Sequence, residues 1–261
     1  MNPPVSACVL ACNEAEDLER CLRSLAWADE IVVVIDSKSA DASETVARRL
    51  ASRVEVRPYA GDIEQKGYCT GLAKNDWAFV IDADEVATPE LAESIRAMLA
   101  QVGGADRETG SVSRAPAGFR VNRATYHLGR WIRHGDFYPD WKLRLYRRSR
   151  ARWVGRDPHG RVVVDGVVRD LSGDLEHYSY RDLADQIDRI QFFSDQAAAA
   201  LVEDGIPFRL GHLLFRPPAR FLRSYLLRQG FRDGLPGFVI AVAIGFYVFL
   251  KYAKHWERMR R

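Results

Sequence analysis

The sequence predicts an α/β fold built on a mostly parallel sheet with helices on both faces, and three observations predict it. Apolar runs at residues 5–11, 30–35 and 77–81 have the length and continuity of strands buried on both sides. Helical patterns at residues 14–25, 42–51 and 63–74 lie between the strands, the alternation that crossover connections require. Each apolar run also ends in polar or acidic residues: Asn13-Glu14, Asp36-Ser37 and Asp82-Ala83-Asp84. In such sheets ligands bind beyond the carboxyl ends of the strands, so these three segments converge on one candidate site.

The elements follow in order. Residues 5–11 form the first strand, 14–25 the first helix, and 30–35 a second strand ending at Asp36. A helix at 42–51, a short strand at 54–58 and a helix at 63–74 continue the alternation, and 77–81 is a buried strand ending in Asp82. Pro89 suits a first helical turn and opens a helix to about residue 101. Residues 102–118, rich in Gly, Ser and charge, read as a flexible connection. Residues 119–126 and 143–147 look like an antiparallel extension, 161–168 like a further hairpin element, and 180–203 like an amphipathic helix. No internal repeat is evident.

A chain of 261 residues with 47% hydrophobic content can bury one sizeable core with a small appendage. Its net charge of +3 hides an asymmetry: residues 205–261 hold 11 Lys or Arg against 2 acids, whereas residues 1–204 hold 27 against 33. Domain boundaries are therefore expected at 1–204 for a catalytic body and 205–261 for a basic tail. Cys8, Cys12, Cys21 and Cys69 show no C-x-x-C pair and no metal-ligand spacing, which suits a reduced compartment. Met1-Asn-Pro-Pro lacks a basic n-region, so no secretory signal is expected.

The acidic loop Asp82-Ala83-Asp84-Glu85 places hard oxygen donors on one side of a turn, where Mg²⁺ or Mn²⁺ bridges carboxylates to phosphate oxygens. The same residues also suit the start of the helix at Pro89, where acids stabilise the exposed N–H groups. Asp36 at a strand end suits a base imide or ribose hydroxyl, while Asp36-Ser37 with Asp41 also suits a turn and helix cap. No G-x-G-x-x-G opens the first helix, which argues against a dehydrogenase. A nucleotidyltransferase calls for a Gly-rich basic loop after the first strand, and Ala11-Cys12-Asn13-Glu14-Ala15-Glu16 is acidic instead.

Asn13-Glu14, Trp27-Ala28-Asp29-Glu30 leading to Asp36-Ser37, Asp76-Trp77 and Asp82-Ala83-Asp84-Glu85 together resemble family 2 glycosyltransferases of the Rossmann-like GT-A fold. Tyr138-Pro139-Asp140, Leu143-Arg144-Leu145-Tyr146-Arg147-Arg148 and His177-Tyr178-Ser179-Tyr180 extend the resemblance, in particular to the branch that adds sugars to the lipopolysaccharide inner core. It covers nearly the whole chain. The resemblance implies an inverting, metal-dependent transfer from a nucleotide diphosphate sugar, usually a uridine diphosphate sugar, to an acceptor hydroxyl.

The implied donor contacts are Ala11, Asn13, Glu14, Asp36, Lys66, Asp82 and Ala83, and the implied ligands of Mg²⁺ or Mn²⁺ are Asp82, Asp84 and His159. Asp140 is the implied catalytic base, with Asp136 and Asp157 as rivals. Lys66 suits the diphosphate as a point charge or an exposed helix position, and His159 a ligand or a solvated turn. Gly160 stands where the branch has an acid and Gly67 where it has asparagine.

Arg216, Arg220, Arg223, Arg228 and Arg232 alternate with Phe215, Phe221, Leu222, Tyr225, Leu226, Leu227 and Phe231, a pattern suited to an anionic membrane surface. The uncharged run of 16 residues at 235–250 reaches about 24 Å, short of a hydrocarbon core of about 30 Å, so an interfacial or re-entrant hairpin is expected over a full span. A buried core helix or an oligomer contact is the alternative. Positive charge on both sides of the run suits anchoring at a cytoplasmic leaflet. The resemblance implies that this is the cytoplasmic face of a bacterial inner membrane, where a lipid-linked saccharide acceptor is met. The basic residues come with large apolar neighbours and no nucleic-acid module, so nucleic acid is not an expected partner. A catalytically silent membrane scaffold of the same fold is the remaining alternative.

Overall fold

The structure, a computed structural model, describes residues 2–109, 115–155 and 160–260. It divides into two compact units: residues 1–123 with 141–177, and residues 124–140 with 178–261. The expected boundary at 204/205 falls between two helices that both belong to the second unit.

The first unit is built on a sheet of order β3-β2-β1-β4-β8-β6-β11-β5. Its parallel half comprises β1 (Val5–Ala11), β2 (Glu30–Asp36), β3 (Arg53–Arg57) and β4 (Trp77–Asp82). In the other half, β8 (Trp141–Arg147) runs antiparallel to β4 and to β6 (Pro116–His127), and β11 (Val167–His177) runs antiparallel to β5 (Glu85–Ala87).

Alternate residues of the central strands feed two cores, which is why their sequences read as unbroken apolar runs. Val5, Ala7, Val9 and Ala11 of β1 join Ile31, Val33 and Ile35 of β2 and Trp77, Phe79 and Ile81 of β4 on one face. Three helices cover that face through Leu18, Cys21 and Leu22 of α1 (Ala15–Ser24), Val46 and Ala47 of α2 (Ser43–Leu50), and Leu91, Ile95 and Leu99 of α4 (Pro89–Thr109). The opposite face, with Cys8, Val32, Val34, Ala78 and Val80, is covered by Cys69 and Ala73 at α3 (Asp62–Leu72) and by the hairpin of β9 (Ala151–Val154) and β10 (Arg161–Val164).

Of the flexible connection expected at 102–118, residues 110–114 lie outside the described residues; before them α4 continues to Thr109, and after them β6 begins at Pro116. Val102 is buried in the core, and the helix runs on through Gly103 and Gly104 despite their weak helix propensity. Gly118 lies inside β6 because a Cβ there would meet Leu143 Cδ1 at 2.9 Å.

In the second unit, the end of β6 pairs antiparallel with β7 (Arg130–Ile132), and three helices follow: α5 (Leu183–Glu203), α6 (Leu210–Leu222) and α7 (Gly234–Arg258). α6 and α7 form an antiparallel hairpin. Arg216 donates to Tyr252, Gly245 faces the carbonyl of Pro217, and Phe221 and Tyr225 both pack on Phe238. Lys254 ties α7 to α5, donating to Gln191 O (2.8 Å) and Ser194 Oγ (2.9 Å).

Two buried carboxylates clamp residues 130–136 to the tail. Asp233 accepts from the backbone N–H of Arg133 (3.1 Å) and His134 (2.8 Å), and Asp136 pairs with Arg220 and Arg228, each at 3.1 Å. α7 has 25 residues, about 37 Å of helix, so the length argument against a span does not hold: the helix runs past the uncharged stretch through Lys251 and Lys254. One face, with Gly237, Ile240, Ala241 and Gly245, is buried, whereas Leu235, Phe238, Val242, Phe246 and Phe249 are exposed at helical spacing.

Candidate active site

The strand order sets the site. β1 lies between β2 and β4, with Ala11 paired to Ile35 and Leu10 to Asp82, so Asp36 and Asp82 flank the end of β1 on opposite sides, Asp36 further along the strand direction. Ala11 is buried as the last residue of β1, and Ala83 is buried just beyond β4.

Asn13 takes a left-handed backbone with φ of 56°, a conformation asparagine tolerates. Its N–H donates to Ser39 Oγ (2.9 Å) and its Oδ1 accepts from Ala40 N (2.8 Å), joining the loop after β1 to the loop after β2. Asp36 accepts from Lys38 N (3.1 Å), which closes a tight turn. Asp41 accepts from Ala15 N (2.9 Å) and Ser43 N (3.0 Å), so it holds the starts of α1 and α2 together.

The acidic loop is held by a charge network. Lys66 on α3 reaches Asp82 Oδ1 at 2.9 Å, and Arg144 on β8 donates to Asp82 Oδ2 at 2.7 Å. Arg144 also pairs with fully buried Glu85, whose Oε1 lies 3.3 Å from Arg123 and whose Oε2 accepts from Asp82 N at 3.0 Å. Burial pushes the Asp82 carboxyl up, but Arg144 and Lys66 outweigh it and hold the group well below the usual carboxylate range. Asp84 Oδ2 stands 3.3 Å from His177 Nε2. Burial raises this carboxyl too, and the His177 hydrogen bond and charge bring it below its ordinary value. Glu14 behaves oppositely: burial pushes it up to about 7, with Asp84, Asp17 and Asp82 adding to the rise, against the hydrogen bond from Cys12 N.

The residues anticipated from sequence in the first unit thus gather at the carboxyl ends of β1, β2 and β4. Lys66, expected at a diphosphate, is engaged with Asp82 in this structure. Asp140 belongs to the second unit, on the segment leading into β8, and is half-buried. Asp136, its rival, is buried between two arginines. His159 and Asp157 lie outside the described residues. An acid in place of Gly160 would collide with Ile63 on α3. Sequence reasoning placed Glu85 in the acidic loop and counted Arg144 and His177 among the residues that carry the resemblance, but gave none of the three its partner. The signal for Arg144 was an arginine alternating with Leu143, Leu145 and Tyr146, since an inward-facing guanidinium needs acids beside it.

Among the described residues no group of three or more His, Cys, Asp or Glu forms a metal cage. The donor chemistry nonetheless fits Mg²⁺ or Mn²⁺. Such ions are held by one or two carboxylates with substrate phosphates completing the shell. Asp84 and Asp82 are carboxylates of that kind, and in this structure both Asp82 oxygens face cations, Lys66 and Arg144.

A parallel half-sheet with carboxylates at its strand ends and an antiparallel extension is the architecture of GT-A glycosyltransferases. Residues 6–164 match the family described as Glycosyl transferase family 2. The chain is also 31% identical over 262 residues to the lipopolysaccharide core biosynthesis glycosyltransferase LpsC of Rhizobium meliloti, covering 98% of this chain and 93% of that protein. An uncharacterized glycosyltransferase of Rickettsia typhi is 27% identical, with 96% and 86% covered. The chain belongs to glycosyltransferase family 2, and it is a glycosyltransferase. Among solved structures, the mannosyltransferase PcManGT from Pyrobaculum calidifontis, in complex with GDP-Man and Mn2+, matches at a TM-score of 0.51 and 15% identity, over 98% of this chain and 88% of that one. That likeness is one of fold.

Proposed function

We propose that the protein transfers a sugar, with inversion, from a nucleotide diphosphate sugar to a lipid-linked glycan of the lipopolysaccharide core type at the cytoplasmic face of a bacterial inner membrane. A uridine diphosphate sugar is the proposed donor. The observation that carries the reading is the pairing of Asp82 with Lys66 and Arg144 beside Asp84, at the carboxyl ends of the strands, where sheets of this kind bind ligands.

In this reading Asp36 orients the base or ribose, with Ala11, Asn13 and Glu14 shaping the same crevice wall. Lys66 is the residue to exchange partners: a diphosphate would compete with Asp82 for its ammonium. Asp84 and Asp82 would hold Mg²⁺ or Mn²⁺, with His177 orienting Asp84. The metal would supply charge neutralisation to the departing diphosphate. Asp140 is proposed as the base. It takes the acceptor hydroxyl proton as the oxygen bonds to the anomeric carbon and the bond from that carbon to the diphosphate breaks. The likeness to LpsC supports the acceptor class. The exposed apolar residues of α7 and the arginines of α6 support a membrane location, with the arginines of α6 at the interface and α7 long enough to enter the hydrocarbon.

The test is thermal unfolding with a panel of nucleotide diphosphates, with and without Mn²⁺. Stabilisation by a uridine diphosphate that needs Mn²⁺ is expected, and Asp84→Ala should remove the Mn²⁺ dependence. Asp140→Asn should keep donor-induced stabilisation and lose transfer to acceptor. No shift with any nucleotide would sink the donor reading, and normal transfer by Asp140→Asn would move the base elsewhere.

A further inference from the structure

Between α6 and α7 lies a cavity of about 400 Å³ that the transfer reaction does not use. Arg216 and Arg220 of α6 and Arg223 just beyond its end line one side, and Tyr247, Lys251 and Tyr252 of α7 the other. The arginines are spaced i, i+4 and i+7, so they share one helix face and repel one another. Only Arg220 has an acidic partner, Asp136 at 3.1 Å, which it shares with Arg228. Among the described residues Arg216, Arg223 and Lys251 have none. Arg216 instead donates to the Tyr252 hydroxyl and lies over its ring at 5.3 Å, and Lys251 stands 5.7 Å from the same ring centroid.

Three uncompensated cations around one concavity are an electrostatic expense that an anion removes. Phosphate oxygens match this lining, because guanidinium groups bind phosphate in a fork and tyrosine hydroxyls donate to it. The surroundings indicate what carries the phosphate. Ala219 and Val248 complete the lining, and Phe215, Leu222, Phe246 and Phe249, one residue or so away on the same helices, are exposed. A polar phosphate held among cations with apolar rails beside it is the layout of an amphiphile.

We infer that the α6–α7 cavity is a discrete binding site for the phosphate-bearing headgroup of one membrane lipid. It rests on the membrane contact proposed for the tail and narrows that contact from a diffuse charged surface to one headgroup per chain.

The full chain is tested by flotation with vesicles of phosphatidylcholine alone and with phosphatidic acid added, and by calorimetric titration with dihexanoyl phosphatidic acid. Wild type should bind the short-chain lipid at one per chain, with inorganic phosphate in hundredfold excess displacing little of it. Arg223→Gln with Lys251→Gln should weaken that binding at least tenfold, whereas the charge-matched control Arg181→Gln with Arg209→Gln, outside the cavity, should leave it within twofold. Thermal unfolding checks that both variants fold, and the stoichiometry on wild type stands without them. Equal losses in the two variants, or binding of many lipids per chain, would overturn the site and leave membrane contact intact. Inorganic phosphate binding as tightly as the lipid would make the ligand a free anion and overturn the lipid assignment. Failure of wild type to float with either vesicle would overturn the membrane reading together with the site.

Discussion

Arg144→Met is the most direct test of the charge network beneath the acidic loop. Arg144 is buried and serves Asp82 and Glu85 at once, and Glu85 is fully buried. Methionine fills similar volume without charge, so what is lost is the compensation for two carboxylates. Breaking a buried pair by removing one partner costs about 3–5 kcal/mol. Here each acid keeps a second cation, Lys66 at 2.9 Å or Arg123 at 3.3 Å, and the Asp82 side chain is 32% exposed, so a loss at the low end, about 3 kcal/mol, is expected at pH 7.

The loss should depend on pH in one direction. Asp82 is held well below its ordinary range, so its stabilisation is present above pH about 4 and is lost as pH falls through the folded value. Without Arg144 that folded value rises, and the gap between wild type and variant narrows on acidification. Urea unfolding followed by tryptophan fluorescence at pH 7 and pH 3.5 measures both quantities. Adding Glu85→Gln to Arg144→Met should recover part of the loss. A loss below about 1 kcal/mol at pH 7, or a gap of equal size at both pH values, would refute the reasoning.

Three further outcomes follow from single features. Burial holds the Glu14 proton up to about 7, so the apoprotein loses stability as pH rises from about 4.5 to 7; Glu14→Gln should match wild type below that window and exceed it by about 1–2 kcal/mol above, and parallel pH curves would contradict the burial argument. Gly173 has φ of +84° and a Cβ there would stand 2.5 Å from Leu91 N at the start of α4, so Gly173→Ala should cost at least about 2 kcal/mol in urea unfolding, and a neutral result would show that α4 can give way. Phe215, Leu227 and Leu235 are 72%, 80% and 73% exposed, so replacing all three with Gln should change stability by about 0.5 kcal/mol each or less while lowering vesicle partition more than about 100-fold; unchanged partition would place the membrane contact on another face.

The parallel half of the sheet was legible because β1, β2 and β4 are buried on both faces and their sequences carry little else. The expected strand limits at 5–11 and 30–35 fall within one residue of β1 and β2. α4 was harder: Gly103-Gly104 reads as a stop, whereas the helix runs on to Thr109 past a Val102 that is packed in the core. The site divides along the same line. Asp36, Asp82 and Asp84 were visible because each follows a strand whose end is obvious. Arg144, Glu85 and His177 depend on pairings between antiparallel strands, Phe79 with Leu145 and Glu85 with His177, and such register is set by bulges and side-chain fit that local pattern does not encode. α7 shows a related limit, since counting uncharged residues measured its apolar stretch and not its helix.

The clamps at Asp136 and Asp233 bear on how this enzyme can be cut and rejoined. A chimera made by exchanging residues 205–261 alone would sever the pairs from Asp136 to Arg220 and Arg228, and those from Asp233 to residues 130–134, leaving Asp136 facing foreign side chains and the N–H groups of Arg133 and His134 without Asp233. The transplantable module is discontinuous: residues 124–140 travel with 178–261. Relatives that differ in their tails are therefore expected to differ in concert at the short segment ahead of β8, so the helical tail and the loop bearing Asp140 are expected to be inherited together.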